Sequence, residues 1–146
     1  MGGGVHLDLI HEIDYSTWLF GQPMETYGFM TSTSSLNIDS TDYAQYNLMY
    51  EKFVLNIKLN YFRRDTKREI EIVAENETLL CDIQNCVIKN LTNGTILFRK
   101  NYNIMDTYIA QMKYFFDIVK NCNQSMNSFE DSLKVLKIAL NDKFTK

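Results

Sequence analysis

The stretch Met1-Gly-Gly-Gly-Val-His-Leu-Asp-Leu-Ile-His-Glu-Ile-Asp-Tyr-Ser-Thr-Trp-Leu-Phe-Gly21 decides the fold, because it holds both histidines, the only tryptophan and four of the six glycines of a 146-residue chain. Successive glycines tolerate positive φ and let other groups approach the backbone, so Gly2 to Gly4 predict a turn. Val5 to Phe20 contains neither proline nor glycine. Its Leu9, Ile10, Ile13, Thr17, Leu19 and Phe20 recur near the helical period and predict one helix, stopped by Gly21 with Pro23 just beyond. On such a helix Asp8, His11 and Tyr15 share a face, and Asp14 lies on an adjoining one. A carboxylate beside an imidazole fixes its tautomer and readies it for proton transfer. On spacing alone, an ordinary surface or half-buried hydrogen-bonded pair is the leading reading.

Downstream, Met24 to Leu36 has the composition of a strand with one wet face, and Asn37 to Asp42 that of a turn. In Phe53 to Phe62, Phe53, Leu55, Ile57, Leu59 and Tyr61 alternate with the other residues, the period of a half-buried strand. Together with Tyr43 to Tyr50 it predicts an antiparallel hairpin. Glu69 to Ala74 and Thr78 to Ile83 form another strand pair. Cys86 to Lys89 and Thr95 to Arg99 form a third around Asn93-Gly94, the strongest hairpin signal in the chain.

From Ile104 to Asn121 the period becomes helical. Ser128-Phe-Glu-Asp131 then resembles a capping box that opens a last helix running to Leu140, with Leu133, Val135, Leu136, Ile138 and Leu140 as core candidates. The prediction is a single α+β domain: one helix, a largely antiparallel sheet, then two helices packed on one sheet face.

Composition narrows the function. A net charge of −3 and a pI near 5.3 give no electrostatic reason to expect nucleic acid or an anionic membrane as partner. No apolar run approaches the roughly 20 residues of a spanning helix, and the start does not read as a signal peptide. A cytoplasmic chain is expected. Cys81, Cys86 and Cys122 lack the spacing of a zinc or redox motif, and His6 and His11 lack a common metal-ligand spacing, so no metal site is expected. Arg63-Arg-Asp-Thr-Lys-Arg68 carries four basic residues, open both as a solvated turn and as an anion clamp for a phosphate.

The run Gly-Gly-Gly-Val-x-Leu-Asp-Leu-x-His-Glu-Ile-Asp-Tyr-x-x-Trp-Leu-Phe-Gly, residues 2 to 21, resembles the signature that opens the C-terminal domain of the glucose-fructose oxidoreductase, inositol dehydrogenase and MocA family. The resemblance continues through Tyr61-Phe-Arg-Arg64 and Arg68 to Asp82 into the terminal helices. It implies the substrate-side and oligomerisation domain of an NAD(P)-dependent sugar or nucleotide-sugar oxidoreductase. It also implies His11 as acid/base and Asp8 as its supporting carboxylate, with Tyr15, Asp14 and Arg64 as candidate substrate contacts. Many relatives separate the two catalytic residues by four positions, whereas this chain separates them by three.

The family's catalytic lysine belongs to an N-terminal Rossmann domain. No strand followed by Gly-x-Gly-x-x-Gly exists here, so this chain alone is expected to bind no cofactor and to be inactive, with NAD or NADP serving the complete enzyme. The expected partners are a sugar-like substrate, a second copy bound through the sheet by an aromatic surface of Tyr43, Tyr46, Tyr50, Tyr61 and Phe62, and a Rossmann half that is either fused or separate. The alternative reading is a non-catalytic sugar-binding or oligomerisation module on the same scaffold.

Overall fold

A computed structural model describes residues 3–101 and 103–141. Gly2 of the predicted turn lies outside the described residues. The chain divides into two compact units, one running to Arg64 and resuming at Ser125, the other Asp65–Gln124.

The first unit contains α1 (Val5–Asp8), α2 (Ile10–Phe20), β1 (Glu25–Thr31), β2 (Tyr43–Met49) and β3 (Val54–Asn60). The strands form an antiparallel sheet in the order β1-β2-β3. Period two sorts its side chains. Ala44, Tyr46, Leu48, Ile57 and Leu59 point inward and are buried with Val5 and Ile13 of the helices. A last helix of this unit, Phe129–Ala139, adds Val135, Ile138 and Ala139 to the same core. Helices thus cover one face of the sheet.

The other face carries Tyr27, Phe29, Tyr43, Gln45, Asn47, Asn56 and Lys58, as the pairing register requires. Phe29 meets Tyr43 edge-on at 6.5 Å between centroids, and Tyr43 stacks on Phe62 at 6.3 Å.

The second unit is a four-stranded antiparallel meander, β4 (Glu69–Val73), β5 (Thr78–Asp82), β6 (Val87–Asn90) and β7 (Ile96–Arg99), followed by α3 (Ile104–Asn121). With α3 placed, the last helix of the first unit is α4. The Asn93-Gly94 hairpin forms with a five-residue loop, Leu91 to Thr95, rather than a two-residue turn. Asn90 organises it by accepting hydrogen bonds from the amides of Thr92 and Asn93, while Gly94 takes φ +77°. No residue of α3 is buried, although its first turn is capped by the Asn103 side chain.

Several expectations need correction. The predicted first helix is broken at Leu9, whose φ of −105° and ψ of 25° leave the helical region. In α4 the buried stripe is Val135, Ile138 and Ala139, whereas Leu133, Leu136 and Leu140 are exposed. Its phase is set by Tyr46, whose hydroxyl donates to the Ala139 carbonyl at 2.7 Å. Tyr46 is therefore a core residue and not part of an outward aromatic surface.

Candidate functional site

The site starts at the glycine turn. Gly4 has φ +101°, and an added Cβ would stand 3.0 Å from the His6 ring and 3.1 Å from Thr41. Only glycine meets both demands. The Val5 amide donates to the Thr41 carbonyl at 2.8 Å, which ties the turn to the entry of β2. His6 is buried beneath it, with Nδ1 lacking a hydrogen-bond partner. Burial lowers the His6 pKa, opposed by the charge of Asp8, so the ring stays neutral near pH 7.

The break at Leu9 separates Asp8 from the helix that carries His11. The Tyr61 hydroxyl, just beyond β3, donates to the Asp8 carboxylate. Burial, then the hydrogen bond and charge of Asp8, push the Tyr61 pKa up to about 12, so the phenol remains a donor at physiological pH. His11 instead faces its sequence neighbour, with Nε2 3.1 Å from Glu12 Oε1. The Glu12 side chain is only 14% exposed against 50% for His11, and the Tyr15 hydroxyl donates to Glu12 Oε2 at 2.5 Å.

The structure therefore brings together His11, Glu12 and Tyr15, and separately Asp8 and Tyr61. Among the described residues it does not place the Asp8 carboxylate within ion-pair distance of His11. Sequence reasoning missed Glu12 because adjacent helical residues ordinarily point apart. It missed the role of Tyr61 because 53 positions separate it from Asp8. No local pattern carries that contact.

The remaining candidates part company. Asp14 and Tyr15 line a recess of about 500 Å³ at the end of α2, with Trp18 and Gln22 beside them and Asn127 and Asp131 opposite, at the start of α4. Trp18 is 71% exposed. The Lys134 ammonium and the Ser128 hydroxyl hold the Asp131 carboxyl below its usual range. Arg64 is exposed in the segment after β3 and does not line the recess. Among the described residues, no three His, Cys, Asp or Glu side chains converge on a metal position, and no helix is long and apolar enough to cross a membrane.

No protein-family model and no curated protein matches the sequence. Solved structures do. UDP-N-acetylglucosamine 3-dehydrogenase GnnA from Acidithiobacillus ferrooxidans superposes with a TM-score of 0.75 at 17% identity, over 95% of this chain and 46% of that one. An oxidoreductase from Agrobacterium radiobacter, solved with NAD+, L-tartaric acid and magnesium, gives 0.71 at 17% identity, over 90% of this chain and 43% of that one. This chain thus spans less than half the length of either. Its fold is the α+β arrangement with antiparallel sheets that the sequence led us to expect, and it is shared with less than half of each of these oxidoreductase chains.

Proposed function

We propose that the chain is the substrate-side domain of an NAD(P)-dependent oxidoreductase acting on a sugar or nucleotide-linked sugar, with His11 as the acid/base at the carbon that exchanges hydride. The observation that carries this is the half-exposed His11 imidazole on α2, backed by the mostly buried Glu12 carboxylate on a fold shared with oxidoreductases. Proton transfer to or from a substrate hydroxyl needs an accessible ring held in one orientation, and the Tyr15–Glu12 hydrogen bond supports that geometry.

Asp8, held by Tyr61, serves as a second polar group beside the glycine turn. Asp14 and Tyr15 contact the substrate from the recess, and Arg64, exposed after β3, supplies a cation for a substrate phosphate. The dinucleotide and the lysine belong to a Rossmann half, so this chain alone binds no NAD or NADP and turns nothing over. A homo-oligomer forms through the aromatic face of the β1–β3 sheet, and the protein resides in the cytoplasm.

The test is reduction of NAD or NADP by the protein complete with its Rossmann half, assayed across a panel of sugars and nucleotide sugars. His11→Ala is expected to lower kcat about a hundredfold or more, the usual worth of a positioned general base. Undiminished turnover in that variant would favour the non-catalytic module. Tight binding of NAD or NADP by the 146-residue chain itself would contradict the division of labour.

A further inference from the structure

We infer that the recess at the α2–α4 junction is a subsite for an amine-bearing sugar, whose ring stacks on Trp18 and whose ammonium sits against Asp14. This rests on the sugar-oxidoreductase reading and narrows its substrate class. Three features of the cavity point the same way.

Its volume of about 500 Å³ lies within the range of small-ligand sites. Its walls bear two carboxylates, Asp14 and Asp131, and no lysine, arginine or histidine, so a phosphate or carboxylate ligand meets repulsion there. Asp131 is already partnered by Lys134 at 2.9 Å, which leaves Asp14 as the charge available to a ligand. Finally, Trp18 lies one helical turn beyond Asp14, so indole and carboxylate occupy the same side of α2.

An indole set beside a carboxylate is a chemistry for cations. The ring face attracts an ammonium-bearing ligand through its quadrupole and packs against the apolar face of a sugar, while the carboxylate accepts the N–H bonds. Gln22 and Asn127, which also line the recess, supply neutral donors and acceptors for ring hydroxyls.

Trp18 is the only tryptophan in the chain, so its emission reports this recess alone. D-glucosamine, D-glucose, N-acetyl-D-glucosamine and D-glucose 6-phosphate are titrated against the 146-residue chain and followed by fluorescence, with calorimetry on the unaltered chain as a second measurement. Glucosamine is expected to bind saturably and about tenfold more tightly than glucose, with the phosphate weakest; Asp14→Asn should abolish the preference. Equal affinity for glucosamine and its N-acetyl derivative would overturn the amine assignment while leaving the sugar reading intact. No saturable response to any of the four, by either method, would overturn the subsite itself. Neither failure touches the role of His11, which is judged by turnover. Should Asp14→Asn fail to fold, the order of the four ligands on the unaltered chain decides alone.

Discussion

At the scale of single residues, several contacts join distant parts of the chain. Asn141, at the end of α4, accepts from the Gly28 amide at 2.8 Å and donates to the Gly28 carbonyl at 3.1 Å. Its amide thus pairs with edge strand β1 as another strand would. A Cβ at position 28 would stand 2.7 Å from the Asn141 oxygen, so Gly28→Ala is expected to cost about 1–3 kcal/mol, read by chemical denaturation. Combined with Asn141→Ala, the loss should fall well short of the sum, because both variants remove the same pairing. Tyr46→Phe leaves the buried Ala139 carbonyl without its donor and should cost about 1–2 kcal/mol in the same assay.

Asp42 adds a pH dependence. The Ser34 side chain and the amides of Thr33 and Ser34 hold its carboxyl below the ordinary value of 3.8. A depressed folded pKa contributes stability that is present above the unfolded value and is lost as the pH falls through the folded one. The stability gap between the unaltered chain and Asp42→Asn should therefore shrink from about pH 6 to about pH 3 in parallel urea melts. An unchanged gap would mean that the loop does not hold the ionised form. None of these three contacts was legible in the sequence, since each joins residues that no local period relates.

At the scale of elements, periodicity found most strands and helices to within a few residues, because side-chain alternation and helical stripes are local consequences of burial, although the strand expected over Met24 to Leu36 ends at Thr31. It failed at phase and at breaks. The α4 sequence offers two apolar stripes, Val135-Ile138-Ala139 and Phe129-Leu133-Leu136-Leu140, and hydropathy does not distinguish them. The Tyr46 hydroxyl on Ala139 does. The start of α4 was more transparent. Ser128 accepts from the Asp131 amide at 3.1 Å and donates to its carboxylate at 2.8 Å, as the serine-to-aspartate spacing suggested. Ser128→Ala should lower stability by about 1 kcal/mol, seen as a reduced Tm. The break at Leu9 had no visible signal, as leucine is a good helix former. Its consequence for the candidate site is large, because the predicted pairing of Asp8 with His11 assumed an unbroken helix.

At the scale of the molecule, the question is what covers the outward face of the β1–β3 sheet. A two-layer unit buries one sheet face under its helices and leaves the other to solvent or to a partner. Solvent-facing strands ordinarily carry charge, yet Glu25 and Lys58 are the only charged side chains that the strand register directs outward here. Tyr27 and Phe29 are 57% and 61% exposed, and Phe29, Tyr43 and Phe62 form a continuous aromatic strip. Apolar patches of this kind mark association surfaces. The sequence announced the aromatics but misjudged their membership, because Tyr43 and Tyr46 are three apart on a strand and must face opposite ways. Self-association through the corrected strip predicts a dimer or larger species by sedimentation at tens of micromolar, the range in which a large apolar interface persists. Phe29→Glu together with Tyr43→Glu should yield a monomer with an unchanged far-ultraviolet spectrum, since neither side chain belongs to the core. An unaltered chain that sediments as a monomer would leave the aromatic strip without a second copy and would count against self-association through the sheet.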